Sequence, residues 1–340
     1  MAEGVSIIIL NFNGKQFLQN CFDSVLNQSY ENIEIIFFDN NSSDGSTEFV
    51  KDKFKDKRIK IIESETNLGF AGGNNAAVKQ AKNDLVVLLN NDIEADKDWL
   101  LHLVNAVKEK NTVASSYVIT EGINPKYYET NGSVSYLMYN VMNIFENIED
   151  EFYPNGCSLI FRKSEIPVPF DPDYFYYSED LSLGLRARFM GMKVKFVRES
   201  VINHYGGGSS GASSMKTFYR ERNRLLNLYT FFSLWFIIRL LPLISLVKTA
   251  KLFQSLFSKN VSFWGAMKAY FWFYFHIPSV LKKRKEINKI KKVPENEIIR
   301  YMTSKLLNHE TPFSKFINNL SYVYSRIVGI KPIEYYQKTP

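Results

Sequence analysis

The stretch Leu85-Val86-Val87-Leu88-Leu89-Asn90-Asn91-Asp92-Ile93-Glu94 is an apolar run that stops abruptly at three polar side chains. Such a run has the length and character of a strand covered on both faces, as in the middle of a parallel sheet. Ligands of these sheets lie at the carboxyl ends of the strands. Asn90, Asn91 and Asp92 stand at that end, where one carboxylate and two amide oxygens suit a hard divalent cation held against a phosphate. The same triplet also reads as a polar turn into a helix that begins at Trp99, and the flanking sequence bears on the choice.

Upstream, Val5 to Leu10 is a β-branched apolar run followed by Asn11-Phe12-Asn13-Gly14, and Phe17, Leu18, Cys21, Phe22, Val25 and Leu26 then recur at helical spacing. Ile33 to Phe38 is a second strand, ending at Asp39 and the turn-rich Asn40-Asn41-Ser42-Ser43-Asp44-Gly45, with a helix starting near Ser46. Ile59 to Ile62 is a third, and Asn67-Leu68-Gly69-Phe70-Ala71-Gly72-Gly73-Asn74 leads into an alanine-rich helix up to Lys82. Alternating strands and helices predict an α/β fold, a mostly parallel sheet flanked by helices with the polar loops along one edge. Asp39 suits a hydrogen bond from a base N–H or a ribose hydroxyl. The glycines from Gly69 to Gly73 let backbone approach a ligand at a helix N-terminus, or form a plain turn. No GxGxxG follows the first strand and no GxxxxGK[ST] occurs, which counts against dinucleotide dehydrogenases and P-loop NTPases.

Downstream, Val113 to Ile119 is a further strand, and the polar, tyrosine-rich remainder of 111–150 suits either an acceptor-facing insertion or a surface excursion. Asn155 and Gly156 lie in Pro154 to Arg162, which reads as a loop entering a strand. Tyr174-Phe175-Tyr176-Tyr177-Ser178 then leads to adjacent acids, Glu179 and Asp180, that open a helix. Acids in a first turn cap free N–H groups and favour the helix dipole, or they serve chemistry. His204 follows a strand over Lys193 to Val197 and precedes a Gly/Ser segment, 206–214, suited to a loop that closes over a ligand. Arg222 lies in Arg222-Asn223-Arg224 on a helix, where the plain reading is a solvated basic face.

Together these residues resemble the family 2 glycosyltransferases with the GT-A fold. The resemblance rests on Ile7 to Asn13, Asp39 to Ser46, Asn67 to Asn74 and Asn90-Asn91-Asp92 in order and spacing, and covers about residues 5–225. Within the family it is nearest the branch of rhamnosyltransferases and galactofuranosyltransferases. It implies a dTDP- or UDP-linked sugar donor, bound by Asn11, Asn13, Asp39, Asn67, Gly69, Gly72, Asn74, Asn91 and Arg222. It further implies Mg2+ or Mn2+ at Asp92 with His204, and an acceptor near Asn155, Gly156 and Tyr177. Asp180 would be the general base of an inverting displacement, supported by Glu179. The family's Asp-x-Asp stands here as Asn90-Asn91-Asp92, one carboxylate fewer, which implies weaker metal binding. A catalytically silent sugar-nucleotide or glycan-binding module of the same fold is the alternative.

Composition sets the frame. The 340 residues are 45% apolar and 23% charged, ordinary for a folded globular protein. Cys21 and Cys157 have no metal-ligand spacing and indicate no disulfide framework. The Met1-Ala-Glu-Gly start lacks the features of a secretory signal, so a cytoplasmic location is expected. Residues 226–340 hold 18 Lys/Arg against 5 Asp/Glu, a net of +13, while the remainder is net −6. A basic tail of this kind meets an anionic surface; no nucleic-acid motif accompanies it, so no nucleic-acid partner is expected. Leu225 to Val247 is interrupted by Arg239 and Pro242, and Val261 to Leu281 by Lys268 and His276. A charge at mid-bilayer costs about 2.5–3.5 kcal/mol, so both segments read as interfacial amphipathic helices. A bundle packed on the catalytic domain, or a homo-oligomer interface, fits them too. The cluster Lys282-Lys283-Arg284-Lys285 with Lys289, Lys291 and Lys292 suits anionic lipid. The expected organisation is a catalytic domain over 1–225, its nucleotide-sugar half at 1–110 and acceptor half at 111–225. A helical basic region over 226–340 follows, attached peripherally to the inner face of the cell membrane and serving a glycan or lipid-linked acceptor.

Overall fold

The apolar runs become the core strands of one sheet. β1 (Val5–Asn11), β2 (Ile33–Asp39), β3 (Ile59–Glu63) and β4 (Leu85–Asn90) pair in parallel in the order β3-β2-β1-β4. The first, second and fourth are buried on both faces, and their largely apolar content fits that, with Ser6 of β1 donating to buried Glu34 of β2. The computed structural model describes residues 2–120, 133–141, 151–206, 213–257, 261–308 and 311–337. The chain falls into two compact units, one of Met1–Asn131, Phe145–Leu183 and Met192–Ser210, the other of Gly132–Ile144, Gly184–Gly191 and Gly211–Pro340.

In the first unit, α1 (Lys15–Leu26), α2 (Ser46–Lys53), α3 (Gly69–Val78) and α4 (Trp99–Ala106) cross between strands. α1 buries Leu18, Cys21, Phe22 and Val25, the face its spacing marks out. The sheet continues beyond β4 through β9 (Ser158–Arg162), β6 (Thr112–Thr120), β10 (Lys193–His204) and the short β5 (Ile93–Ala95). β9 runs antiparallel to both β4 and β6, and β5 antiparallel to β10, so the sheet is mixed though mostly parallel. This is the GT-A arrangement expected from the sequence.

Two local readings are corrected. β10 does not stop at Val197: its pairing with β6 shifts register between Val197 and Val201 and then resumes to His204. The polar Arg198-Glu199-Ser200 that ended the apolar pattern is a bulge, and Ser200 Oγ donates to the Trp99 carbonyl at 3.0 Å inside the core. The residues after Asp92 are not merely a turn but β5, whose Ile93 pairs with His204. Trp99 fixes this region, donating from Nε1 to Ser116 Oγ and Ser158 Oγ, each at 2.9 Å. A buried indole N–H needs such partners.

The second unit is helical: α6 (Ser213–Phe231), α7 (Leu234–Ser255), α8 (Phe263–Phe275), α9 (Ile277–Ile290), α10 (Glu295–Ile299), α11 (Pro312–Ile327) and α12 (Ile333–Gln337), with the small hairpin β7 (Ser133–Val134) and β8 (Asn140–Val141). α6 runs unbroken across residues 225 and 226. The two long apolar segments are each divided. Ser233 caps α7 by accepting from Phe236 N, and α9 begins at Ile277 with Pro278 in its first turn. Arg239 is not stranded in apolar surroundings, because it donates to the Val328 and Gly329 carbonyls at 3.1 and 3.3 Å. Among the described residues no helix is long and apolar enough to cross a membrane.

Candidate active site

Register builds one row of polar side chains at the carboxyl edge of the sheet: Asn11 pairs with Asp39, and Leu10 with Asn90. Asn11 Nδ2 donates to Asp39 Oδ1 at 2.9 Å and to Ser42 Oγ at 3.0 Å. Asn91 Nδ2 donates back to Asn11 Oδ1 at 2.6 Å. The other Asp39 oxygen accepts Ser42 N at 2.8 Å, so the loop after β2 folds onto the carboxylate that ends the strand. Asn13, at φ 52°, accepts Ser43 N on its side chain and donates its own N–H to Ser42 Oγ. Asn11, Asn13, Asp39 and Asn91 are thus brought together, and Ser42, which the sequence reading passed over, joins them.

The glycine-rich segment is organised by Asn40. Its Oδ1 accepts Leu68 N at 2.9 Å, and its Nδ2 donates to Asn67 Oδ1 at 3.0 Å and the Gly69 carbonyl at 3.1 Å. Gly69 has φ +71°, and a Cβ there would lie 2.5–2.7 Å from Phe175 atoms. The close approach this glycine permits is therefore to the protein's own chain. The α3 N-terminus is likewise engaged, since Phe70 N and Ala71 N donate to the Phe175 carbonyl at 2.7 and 3.3 Å. Gly72 packs against Leu68, and Asn74, buried, donates to the Phe70 carbonyl at 3.0 Å.

Phe175 belongs to the approach to the two acids. Phe175, Tyr177 and Ser178 all have positive φ, at 55°, 70° and 62°. Three such non-glycine residues in four positions store backbone strain, a feature concentrated at functional sites. The chain then enters α5 (Glu179–Phe189). Asp180 Oδ1 accepts Leu181 N at 2.7 Å, and Gly156 N–H also bonds the carboxylate. Burial nevertheless outweighs these bonds and raises its pKa. Glu179 is buried, its Oε2 has no hydrogen-bond partner among the described residues, and burial followed by the neighbouring Asp180 charge raises its pKa well above the ordinary carboxylate range. Asn155 Oδ1 accepts Cys157 N at 2.8 Å, shaping the loop that presents Gly156 to Asp180.

Across the β4 edge, β5 and β10 bring Asp92 and His204 together, Oδ1 to Nε2, at 3.2 Å. Burial disfavours the imidazolium, but bonds to Asp92 and Cys157 and the Asp92 charge prevail and push the His204 pKa up to about 10. The Asn90 and Asn91 amide nitrogens turn elsewhere, to Cys157 Sγ at 3.5 Å and to Asn11. Among the described residues no group of three or more His, Cys, Asp and Glu is arranged to hold a metal. The chain therefore offers a carboxylate and an imidazole that converge, a donor set that fits part of a divalent-cation shell and leaves the rest to ligand oxygens and water. Cys157, between Asn90 and His204, carried no signal in the sequence.

Residues 6–166 match the family described as Glycosyl transferase family 2. Over these residues the chain is similar to family 2 glycosyltransferases. An uncharacterized glycosyltransferase of Haemophilus influenzae is 29% identical over 225 residues, 59% of this chain and 68% of the relative. The Escherichia coli UDP-Glc:alpha-D-GlcNAc-diphosphoundecaprenol beta-1,3-glucosyltransferase WfaP is 26% identical over 232 residues, 66% of this chain and 86% of the relative. Across the relatives the chain spans from 23% to 86% of their length. A crystal structure of GalNAc-T7 with UDP, GalNAc and Mn2+ superimposes with a TM-score of 0.59 at 15% identity, over 82% of this chain and 57% of that one, a likeness of fold.

Arg222 belongs to the second unit. It is buried, its guanidinium lies 4.8–5.3 Å from the ring centres of Phe218, Tyr219 and Trp272, and its Nε donates to Asn223 Oδ1. Arg224 pairs with buried Glu221 at 3.2 Å. The basic face read from the sequence is thus an interior one. Of the proposed closing loop at 206–214, residues 213 and 214 instead open α6, and 207–212 lie outside the described residues, as does most of the middle insertion, 121–132 and 142–150.

Proposed function

We propose that this protein is an inverting glycosyltransferase that moves a sugar from a nucleoside-diphosphate donor to a glycan or lipid-linked acceptor in surface polysaccharide synthesis. The observation that carries the reading is Asp180: a half-buried carboxylate fixed by Gly156 and Leu181 N–H groups at the end of a strained loop, with its pKa raised toward the working range of a base. The acceptor hydroxyl oxygen bonds to the anomeric carbon as Asp180 takes its proton. The bond from that carbon to the diphosphate oxygen breaks on the opposite face, and the nucleoside diphosphate leaves. Glu179, kept neutral by burial, supports the acceptor side with Asn155 and Tyr177 without adding a second charge.

On the donor side Asp39, cross-braced by Asn11 and Ser42, takes the base or ribose, and Asn13, Asn91 and the Asn40–Asn67 pair shape the wall around it. Asp92 and the His204 imidazole, on giving up its proton, would hold a divalent cation, and a nitrogen ligand favours Mn2+ over Mg2+. When bound, the cation offsets negative charge on the diphosphate. A UDP-linked donor is favoured by the relative that uses UDP-Glc and the fold neighbour holding UDP; dTDP-rhamnose is the competitor that the sequence resemblance supplies. Residues 1–225 carry the chemistry, and 226–340 attach the protein peripherally to the inner face of an anionic membrane, near a lipid-linked acceptor. The test is release of nucleoside diphosphate from each donor on addition of acceptor. Donor-dependent release lost in Asp180→Asn, with donor binding retained, supports the enzyme; binding without release in the unaltered protein marks a silent module.

A further inference from the structure

α11 is amphipathic in the opposite sense to a helix packed on a protein core. Its buried residues are Ser314, Ser321 and Ser325. Ser321 Oγ donates to the Ser304 carbonyl at 2.6 Å, and Ser325 Oγ to the Tyr322 carbonyl at 2.7 Å. The outward side carries Phe313, Phe316, Leu320, Val323 and Ile327, which are 68, 58, 51, 53 and 77% exposed. At 3.6 residues per turn these five fall within an arc of roughly 80°, along a helix about 24 Å long. A globular helix turns such a stripe inward, so this one presents an apolar surface that calls for a partner.

The stripe runs on into α7. Tyr324 OH donates to the Arg239 carbonyl at 2.6 Å, and Arg239 holds the carbonyls just past Ile327. There α7 exposes Leu234, Trp235, Ile238 and Leu241, with the Trp235 ring 5.8 Å from the Arg239 guanidinium. Cations border one edge of the apolar stripe: Lys315 and Arg326 are exposed on α11 and Lys331 just beyond it. Arg326 and Lys331 both lie over the Tyr335 ring, at 4.8 and 5.1 Å. α11 holds no Asp or Glu.

We propose that α11 lies flat in the headgroup layer of an anionic phospholipid bilayer, with the stripe from Phe313 to Ile327 at the acyl boundary and Lys315, Arg326 and Lys331 on lipid phosphates. This deepens the peripheral-membrane reading above and rests on it. Charge selects the occupant. An apolar face bordered by Lys and Arg and by aromatic side chains is the make-up of an interfacial helix. A second copy docked face to face would set the same cations against one another with no acid on the helix to pair them. At 16 residues α11 is also too short to span a hydrocarbon core of about 30 Å.

The experiment is co-flotation of the full chain with vesicles of phosphatidylcholine alone and with phosphatidylglycerol added. The unaltered protein should float with the anionic vesicles. Phe316→Glu with Leu320→Glu should cut binding roughly 10-fold or more, while UDP-sugar binding and the far-UV circular dichroism spectrum stay unchanged. Lys315→Ala with Arg326→Ala should weaken binding most at low salt. If the glutamate pair disturbs folding, Phe316→Ser with Leu320→Ser gives the same readout. Flotation undiminished in the folded variant overturns the role of α11 while leaving the membrane reading in place. Absence of flotation in the unaltered protein overturns both. A dimer in sedimentation that the variant dissociates, with no lipid binding, makes a second copy the occupant and also overturns the proposal.

Discussion

At Asp180 burial works against three backbone N–H groups, those of Leu181, Gly156 and Asp180 itself, and burial prevails. A base must be ionised, so kcat/KM should fall as pH falls through this raised pKa, with the acid limb well above the 3.9 or so of an ordinary aspartate. Asp180→Asn should lower turnover by about 10²- to 10⁴-fold with donor affinity kept. The same shift has a stability consequence. Because the folded-state pKa is raised, folding favours the protonated carboxyl, and stability present at low pH is lost as pH rises through the raised value. Asp180→Asn should therefore raise the melting temperature more at pH 8 than at pH 5, and an equal or lower value at pH 8 would count against the burial argument. At the other side of the site, Asp92→Asn or His204→Ala should weaken Mn2+-dependent donor binding by at least the roughly 10- to 100-fold that losing an outer-shell partner costs. Calorimetric titration with and without chelator reads this directly, and metal-independent donor affinity in the unaltered protein would contradict the assignment.

At the scale of elements, the joint between α3 and the loop before α5 is the part most open to test. Gly69→Ala places a side chain in the left-handed region, about 1–2 kcal/mol by itself, and drives it into Phe175. A lower melting temperature and slower turnover together are expected, because Phe175 to Ser178 sets the entry to Glu179 and Asp180; a drop in melting temperature with full turnover would uncouple that loop from the acids. The parallel strands were legible because a strand buried on both faces is a continuous apolar run. The row of Asn11, Asp39 and Asn91 was legible because such runs end at polar loops. What periodicity could not supply was pairing. β5 is three residues long, and β10 carries a charged bulge, so neither has a pattern to read, yet their pairing brings His204 to Asp92. Nor does a glycine in the sequence say what approaches it: Gly69 read as room for a ligand and admits Phe175. Arg222, a donor-site candidate by resemblance and a solvated cation on the plain reading, is packed among three rings, since spacing along α6 does not reveal which other helices cover it.

At the scale of the whole chain, charge is divided rather than balanced: net +13 over residues 226–340 and net −6 over the remainder. In the proposed attachment the net-negative remainder is repelled by anionic lipid and the basic third is attracted to it. Its attraction is screened over about 8–10 Å at physiological salt, and vesicle binding should weaken steadily as salt rises, with the apolar α11 stripe leaving a salt-insensitive remainder. Binding that does not respond to salt would assign the attachment to apolar contact alone. The reaction itself is tested most directly by one assay: release of UDP from a UDP-sugar by the full chain with Mn2+, with and without a glycan or polyprenyl-diphosphate-sugar acceptor, beside Asp180→Asn. Acceptor-stimulated release that Asp180→Asn abolishes while still binding donor is the predicted result. Release at the same rate by that variant would contradict the assignment of Asp180 as the base.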